Sequence, residues 1–357
     1  MVVEADLGSG RTVCCVLGLI LRVRPALQKT QAVCITPTRE LALHQACIAH
    51  KLILHTVPAI TILCTEASSA DRSFAVHTNT HVVIGTNSKL QKWMNTSKLD
   101  LSNVTLLAYD EADLMLQKHD VSLQTTSLMN SIKAASCSSG CPLQVLMSGP
   151  IFDDPVRAAA QRCLHGCQVI KTYPSLSPWP VDMNQYKAEA KRQGDKHRLV
   201  QTILQSCDHT HQYVIFVRAN ETVRQLQKLV TKLGMPCSIA RSGMRDNHWD
   251  NQMSQFCKGQ THVLITTDIM ARNSHLMQKV EITINYNPPV GKPGKNGMFT
   301  TYVHRVCSSS CGHAVFNLWA GQAEKRTITA MEEHFSLEFD TLNEHEELCV
   351  AVQQVDL

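Results

Sequence analysis

Short apolar runs rich in β-branched residues alternate with helical stretches along almost the whole chain. In the first half the predicted strands are residues 1–5, 31–37, 59–64, 81–86, 104–110 and 144–148. In the second half they are residues 185–188, 212–217, 237–240, 262–267, 281–286 and 314–318. Strands that alternate with helices in this way are typical of parallel sheets covered by helices. The pattern therefore predicts an α/β protein in which two similar wound units follow one another.

A proline cluster at residues 173–180 separates the two units. Its three prolines block a helix and disfavour pairing in a sheet, so we expect a linker there. The predicted organisation is a first domain over residues 1–172, a linker over 173–183 and a second domain over 184–357. A chain of 357 residues is long enough for two such domains. The proline- and glycine-rich residues 288–297 are interpreted as a surface loop of the second domain.

Composition narrows the class of protein without naming a function. The net charge of +4 and the pI of about 8.3 are compatible with a polyanionic partner but are too small a departure from neutrality to predict one. The fifteen cysteines are scattered through apolar stretches, which favours buried, reduced thiols of an intracellular protein over a disulfide framework or a zinc site. The apolar run 13–21 is too short to span a bilayer, so we expect no membrane insertion.

Residues 5–12, Ala-Asp-Leu-Gly-Ser-Gly-Arg-Thr, lie between a predicted strand and a predicted helix. Glycines in this context let backbone N–H groups turn towards a phosphate, and the helix N-terminus adds positive potential. Thr12 is placed to ligate Mg²⁺, whereas Arg11 stands where such loops usually carry lysine. A plain glycine-rich turn is the alternative. The candidate phosphate-binding residues are Ala5, Gly8, Ser9, Gly10, Arg11 and Thr12.

A second candidate site follows the predicted strand at 104–110, where Asp110, Glu111 and Asp113 stand close together. A strand that delivers Asp110 to its carboxyl end could hold a metal ion, and Glu111 could orient or deprotonate water. A solvated helix N-terminus with acidic residues in its first turn is the alternative. The phosphate loop about 100 residues upstream favours the catalytic interpretation, with Thr12 and Asp110 as the metal ligands.

Four motifs in a fixed order give a definite resemblance. They are residues 37–42 (Pro-Thr-Arg-Glu-Leu-Ala), 110–113 (Asp-Glu-Ala-Asp), 264–272 (Leu-Ile-Thr-Thr-Asp-Ile-Met-Ala-Arg) and 302–305 (Tyr-Val-His-Arg). In order and approximate spacing the chain resembles the DEAD-box RNA helicases over essentially its whole length. Within that family it is most similar to the mRNA-export branch that works at the nuclear pore. The extra residues 290–299 and the stretch 331–335 (Met-Glu-Glu-His-Phe) carry that likeness.

The resemblance implies two tandem RecA-like parallel-sheet domains, a helicase ATP-binding domain and a helicase C-terminal domain, that bind ATP with Mg²⁺. It adds Ser148, His304 and Arg305 to Asp110, Glu111 and Asp113 as catalytic candidates. For single-stranded RNA the implied contacts are Pro37, Thr38, Arg39, Thr86, Ser242, Gly243 and Thr267; for Thr86 and Ser242 a turn-forming role is the alternative. Implied partners are RNA and mRNA-export or nuclear-pore proteins, in the cytoplasm and also in the nucleus or at its envelope.

Several positions depart from the family pattern, and they cluster on the nucleotide. Residues 148–150 read Ser-Gly-Pro where the family has Ser-Ala-Thr, and 273–275 read Asn-Ser-His where it has Gly-Ile-Asp. Ser308 and Cys311 stand where two arginines would reach the γ-phosphate. Loss of such an arginine lowers turnover by roughly 10³ to 10⁵.

We therefore expect a helicase-like protein that binds RNA and ATP, with impaired ATP hydrolysis and unwinding, that is, a pseudoenzyme. The alternatives are an active ATP-dependent RNA helicase, and a decaying gene copy without a selected activity. The sequence alone does not separate them.

Overall fold

The computed structural model describes most of the chain. The described residues are 1–5, 9–66, 80–96, 98–117, 119–138, 140, 142–150, 152–164, 168–171, 183–206, 211–241, 243–270, 280–289, 298–306, 313–342 and 345–353. Their contacts divide the chain into two compact units, Met1–Tyr173 and Pro174–Leu357. Of the predicted linker 173–183, only Met183 lies within the described residues, and it begins a strand.

The first unit contains one parallel sheet of seven strands. They are β1 (Val2–Glu4), β2 (Ala32–Thr36), β3 (Ile62–Cys64), β4 (Val82–Thr86), β5 (Leu106–Tyr109), β6 (Gln144–Gly149) and β7 (Val169–Lys171). Their order across the sheet is β3-β4-β2-β5-β6-β1-β7. Every neighbouring pair is parallel.

The second unit contains a second parallel sheet of seven strands. They are β8 (Met183–Glu189), β9 (Tyr213–Phe216), β10 (Cys237–Ala240), β11 (Val263–Thr266), β12 (Ile282–Asn285), β13 (His313–Trp319) and β14 (Asp340–Leu342). The order β10-β11-β9-β12-β13-β8-β14 repeats the order of the first sheet strand for strand. The predicted doubling at the scale of domains is therefore a doubling of topology, and the predicted α/β fold is confirmed.

Helices connect the strands and cover both sheets. In the first unit they are α1 (Arg11–Leu21), α2 (Arg39–Thr56), α3 (Asn87–Asn95), α4 (Ala112–Leu116), α5 (His119–Ser138) and α6 (Asp154–Leu164). In the second unit they are α7 (Lys196–Ser206), α8 (Asn220–Lys232), α9 (Asp246–Cys257), α10 (Met298–Val306), α11 (Gly321–Phe335) and α12 (His345–Gln353). Within the described part of the chain, no helix combines the length and apolar character that a membrane span requires.

The central strands are buried on both faces, which explains why most of their positions are apolar. In β2, Val33 and Ile35 pack into one cluster, while Ala32 and Cys34 pack into another on the opposite face. In β9, Tyr213 and Ile215 face one core and Val214 and Phe216 the other. Strands buried on both sides by crossover helices have this composition.

The twelve predicted strands are all present, and the structure adds β7 and β14. Both are three residues long and lie at the edge of their sheets next to β1 or β8. All three residues of β7 are exposed, as are Asp340 and Thr341 of β14. Neither strand carries the buried apolar run on which strand prediction depends.

One buried ion pair holds α7 against α11 in the second unit. Lys196 Nζ donates to Glu324 Oε2 at 2.6 Å and to the carbonyl of Tyr286 at 2.7 Å. Burial lowers the pKa of Lys196, although Glu324 opposes that shift. Burial alone would raise the pKa of Glu324, but the hydrogen bond and charge of Lys196 outweigh it and leave this pKa lowered. Each charge therefore depends on the other.

We expect Lys196→Met to destabilise the second unit by about 3–5 kcal/mol, because it leaves a carboxylate buried without its cation. The double change Lys196→Met with Glu324→Leu should recover much of this loss. Hydrogen exchange of peptides from β13 and α11 measures the stability of the second unit in both variants. The interpretation is contradicted if the single change is no more costly than the double one.

Candidate functional site

The order of the strands explains how distant motifs meet in the first unit. Strands β2, β5, β6 and β1 are parallel neighbours, so their carboxyl ends lie along one edge. Asp110 directly follows β5, Ser148 lies near the end of β6, and the phosphate loop follows β1. Ligand sites of α/β sheets form at such an edge.

Asp110 is the centre of this site. Its Oδ2 accepts hydrogen bonds from Thr12 Oγ1 at 2.8 Å and from Gln45 Nε2 at 2.6 Å. Its Oδ1 accepts from Ser148 Oγ at 2.8 Å and from the backbone N–H of Glu111 at 3.2 Å. The carboxylate is 1% exposed. Thr12 and Asp110, the two predicted metal ligands, are thus in direct contact although they lie 98 residues apart.

Gln45 is the member of this group that the motif analysis missed. It is completely buried, and its Oε1 accepts the Cys34 thiol at 2.9 Å while its amide donates to Asp110. A signal was present in the sequence, because Gln45 is the polar member of the stripe of α2 that buries Ala42, Ala46 and Ala49. A glutamine on an otherwise apolar helix face needs a buried partner.

Glu111 sits in a strained and desolvated position. Its φ of 53° and ψ of 46° are left-handed, a conformation that costs a glutamate free energy and is found at functional sites. Burial raises the pKa of Glu111 well above its ordinary value; Asp110 and Asp113 raise it further, and Arg11 opposes the shift. Its Oε2 is buried without a hydrogen-bond partner among the residues that the structure describes. This carboxyl is therefore poised to change its charge.

Asp113 explains why residue 149 is a glycine. Asp113 is completely buried in the first turn of α4. A Cβ built on Gly149 would lie 2.5 Å from Asp113 Oδ1 and 3.0 Å from the Phe152 ring. The departure from Ser-Ala-Thr therefore matches its surroundings, and restoring an alanine at residue 149 would press on the carboxylate. The glycine is part of how this chain packs its acidic motif.

The phosphate loop ends in the expected helix N-terminus. Gly10 has a φ of 86°, which glycine adopts readily, and precedes the first turn of α1. Arg11 Nη1 is buried and has no hydrogen-bond partner within the described ranges. Ala5 is buried and Ser9 is exposed, while Gly8 lies outside the described residues. A guanidinium nitrogen without a hydrogen-bond partner beside a helix N-terminus suits an anionic ligand.

These residues fit a magnesium nucleotide. The Thr12 hydroxyl and the Asp110 carboxylate are the hard oxygen donors that Mg²⁺ prefers. The buried Oε2 of Glu111 and Nη1 of Arg11 remain available for polar partners. When bound, Mg²⁺ would neutralise phosphate charge; the protein's own part is to hold Asp110 in one orientation through four donors.

The RNA candidates of the first unit follow β2 and β4, which are neighbours in the sheet. Thr38 is the N-cap of α2, and its hydroxyl accepts the N–H of Leu41 at 3.2 Å. A hydroxyl that accepts one hydrogen bond keeps its own proton to donate. Pro37 precedes this cap, Arg39 begins α2, and Thr86 ends β4. The candidates therefore share an edge with the nucleotide group but follow other strands.

In the second unit, Gly243 and Thr267 follow the neighbouring strands β10 and β11. Gly243 is exposed with a φ of 80°, and Thr267 Oγ1 is buried without a hydrogen-bond partner among the described residues. Ser242 and the substituted segments 273–275 and 307–311 lie outside the described residues. RNA contact by Gly243 and Thr267 stays a prediction.

His304 and Arg305 are both buried near the end of α10. Arg305 donates to Asp268, to Asn285 Oδ1 at 3.0 Å and to the carbonyl of Asn287 at 2.8 Å. Its guanidinium also lies over the Phe216 ring, 4.9 Å from the centroid. These contacts join α10 to β9 and β12 inside the second unit. They indicate a positioning role, and the catalytic role of His304 and Arg305 stays a prediction.

Comparison with known proteins finds matches over both units. Residues 1–148 match the family model described as DEAD/DEAH box helicase, and residues 195–307 match the helicase conserved C-terminal domain. DEAD-box ATP-dependent RNA helicase 38 of Oryza sativa is 29% identical over 345 residues, covering 94% of this chain and 66% of the relative. ATP-dependent RNA helicase DBP5 of Eremothecium gossypii is 25% identical over 317 residues, covering 86% of this chain and 62% of that relative. The chain thus spans about two thirds of their length.

Solved structures show the same fold. Dbp5 of S. cerevisiae bound to RNA and ADP BeF3 superposes with a TM-score of 0.82 at 21% identity, covering 99% of this chain and 88% of that one. Mss116p bound to ssRNA and AMP-PNP gives 0.77 at 17% identity, with coverages of 99% and 73%. The tandem RecA-like architecture is therefore confirmed.

Glu111→Gln should raise stability at neutral and alkaline pH. Because the folded-state pKa of Glu111 is raised, the protonated side chain contributes stability fully below its ordinary pKa of 4.5. That stability is lost as pH rises through the folded-state pKa. The glutamine variant keeps a neutral side chain, so its melting temperature should exceed the wild-type value at pH 8 and match it near pH 4.

Asp100→Asn is the control for this comparison. Hydrogen bonds from Ser102 lower the pKa of Asp100, so its contribution is present at high pH and is lost as pH falls. Asp100→Asn should therefore not raise the melting temperature at pH 8. Equal pH profiles for Glu111→Gln and the wild type would contradict a desolvated Glu111.

Gly149→Ala should destabilise the first unit by about 1–3 kcal/mol, because a methyl group must displace Asp113 or Phe152 in a packed site. Gly18→Ala is the matched control, since a Cβ at Gly18 in α1 meets nothing within 4 Å. Urea unfolding of both variants measures the difference. An unchanged midpoint for Gly149→Ala would contradict the tight contact with Asp113.

Proposed function

Because the chain belongs to the DEAD-box RNA helicase family, we propose that it binds Mg-ATP and single-stranded RNA and that its ATP hydrolysis and unwinding are impaired. The proposed nucleotide binding rests on the partly buried contact of Thr12 Oγ1 with Asp110 Oδ2, which are 2.8 Å apart. The proposed impairment of hydrolysis and unwinding rests on the replacement of family residues in the second unit. The proposed protein is a regulated or inactive binder of RNA rather than an efficient motor.

In the proposed nucleotide site, Thr12 and Asp110 hold Mg²⁺, and Ser148 and Gln45 orient Asp110. Arg11 and the backbone N–H groups around Gly10 contact phosphates. Glu111 is the candidate for orienting water, but its raised pKa keeps it protonated over a wider pH range. A carboxyl group that holds its proton cannot accept one from water. At a pH where Glu111 holds its proton, hydrolysis would therefore be limited a second time.

The stronger limit is the loss of positive charge at residues 308 and 311. Phosphoryl transfer depends on cations around the transferred group, and loss of an arginine there costs roughly 10³ to 10⁵ in turnover. Ser308 and Cys311 carry no such charge. Arg305 does not substitute for them, because its guanidinium is committed to Asp268, Asn285 and Asn287.

We propose RNA binding through Pro37, Thr38, Arg39 and Thr86 in the first unit, and through Ser242, Gly243 and Thr267 in the second. We also propose a place in mRNA export, with nuclear-pore proteins as partners and a location in the cytoplasm and at the nuclear envelope. Support comes from the similarity to solved structures of S. cerevisiae Dbp5 bound to RNA, and of Dbp5 bound to nup159 and gle1.

A packing detail agrees with the proposed branch. The Phe299 ring stacks on His334 with centroids 3.7 Å apart and meets Phe335 edge-on at 5.8 Å. Phe299 belongs to the extra segment 290–299, and the other two belong to the stretch 331–335. The two sequence marks of the export branch therefore contact each other.

The test measures nucleotide binding and RNA-stimulated phosphate release by the purified chain. Mg²⁺-dependent binding of a fluorescent ATP analogue should be lost in Thr12→Val, since its hydroxyl contacts Asp110. It should be retained in the control Thr56→Val, whose hydroxyl bonds only the carbonyl of Leu52 in the same unit. Phosphate release should stay below about 1 per second, the low end of ordinary enzyme turnover. Faster RNA-dependent release would favour the active-helicase alternative.

A further inference from the structure

Thr86, a candidate RNA contact, is hydrogen-bonded to a carboxylate of the chain itself. Its hydroxyl donates to Glu66 Oε1 at 2.6 Å, and its backbone N–H donates to the same oxygen at 3.3 Å. Thr65 Oγ1 lies 3.4 Å from that oxygen. One carboxylate oxygen of Glu66 therefore accepts hydrogen bonds from both donors of Thr86, its hydroxyl and its backbone N–H.

The backbone fixes this contact. Strand β3 pairs with β4 in parallel, and the N–H of Thr65 continues the pairing to the carbonyl of Ile84 at 2.9 Å. Glu66 is thereby carried to the end of β4. A Cβ at Gly85 would lie only 2.0 Å from Thr65 Oγ1, so the approach requires glycine at residue 85. The close approach at Gly85 shows that the chain before Glu66 lies tightly against the end of β4, within reach of Thr86.

The donors that Glu66 occupies are those that a nucleic-acid phosphate would use. A threonine hydroxyl and a backbone N–H directed at one anionic oxygen make sequence-independent phosphate contacts. A carboxylate and a phosphate cannot share these donors, and two anions placed together repel each other. RNA can reach Thr86 only when Glu66 leaves.

We propose that the Glu66 carboxylate is an intramolecular competitor of the RNA backbone phosphate at Thr86. The inference rests on the RNA binding proposed above and defines its regulation at one position. It predicts that the chain binds RNA more weakly than its phosphate-contacting residues allow. Neutralising or removing Glu66 opens the contact.

The experiment measures binding of a fluorescein-labelled single-stranded oligouridylate by anisotropy at several salt concentrations. Glu66→Ala should tighten binding about tenfold, the size of one charge-assisted hydrogen bond. Glu66→Gln should tighten it less, because its amide oxygen still accepts from Thr86. Because Thr86 contacts phosphate through neutral donors, the salt dependence of log K should change by less than the roughly 0.7 that one cation–phosphate contact contributes. Asp100→Asn removes the same charge from an exposed site and should change affinity by less than roughly twofold.

Two further measurements separate competition from general effects on the fold. Glu66→Ala should lower the melting temperature while it raises RNA affinity, since it removes hydrogen bonds from the end of β4. In a Thr86→Val background, Glu66→Ala should gain little, because the hydroxyl that it frees is absent. An equal gain with and without Thr86 would overturn the proposal.

The outcomes also distinguish this inference from the proposed function. If the wild type binds RNA and Glu66→Ala matches Asp100→Asn, the competitor is refuted while RNA binding stands. If the wild type fails to bind and Glu66→Ala binds, both the competitor and the site are supported. If no variant binds, both are refuted.

Discussion

The hydrogen bonding of one buried carboxylate organises the first unit. Asp110 is almost completely removed from water, and an ionised carboxylate in such a place needs donors on both oxygens. Thr12, Gln45, Ser148 and the N–H of Glu111 supply them from α1, α2, β6 and the start of α4. The geometry that suits a metal ligand is also a requirement for stability of the fold. The cluster can therefore be retained for the stability of the fold even in a chain that does not hydrolyse ATP.

The two sheets share one topology, but the residues at their carboxyl edges have different roles. In the first unit the carboxyl edge carries acidic groups and Arg11, whose Nη1 has no hydrogen-bond partner among the described residues. In the second unit the same strand order surrounds Arg305, each of whose guanidinium nitrogens donates a hydrogen bond. Within the part of the chain that the structure describes, unpaired buried polar atoms occur in both units: Glu111 Oε2 and Arg11 Nη1 in the first, and Thr267 Oγ1 in the second. The difference between the two edges therefore lies in the side chains that follow the strands and not in the fold.

Much of this could be predicted from the sequence, for identifiable reasons. The strands buried on both faces were visible as apolar runs, and Asp110, Glu111 and Thr12 were visible because their motifs are local. Gln45 was missed because its role depends on a hydrogen bond to Asp110, 65 residues away, which no local pattern encodes. Glu66 was missed because it acts only through the neighbouring end of β4. The fit of Gly149 to Asp113 was likewise invisible, and the glycine counted only as a departure.

The 98 residues between Thr12 and Asp110 have a consequence for how the chain folds. Their contact closes a long loop and requires β1, β6 and β5 to be already side by side, so the site is non-local and slow to assemble. A chain in which these strands have not yet paired would contain the glycine loop and the acidic motif but not the cluster. A ligand that bridges the two would bind only the completed unit and would shift the folding equilibrium towards it by mass action. The concentration of such a ligand would then determine the fraction of folded chains as well as the occupancy of the site.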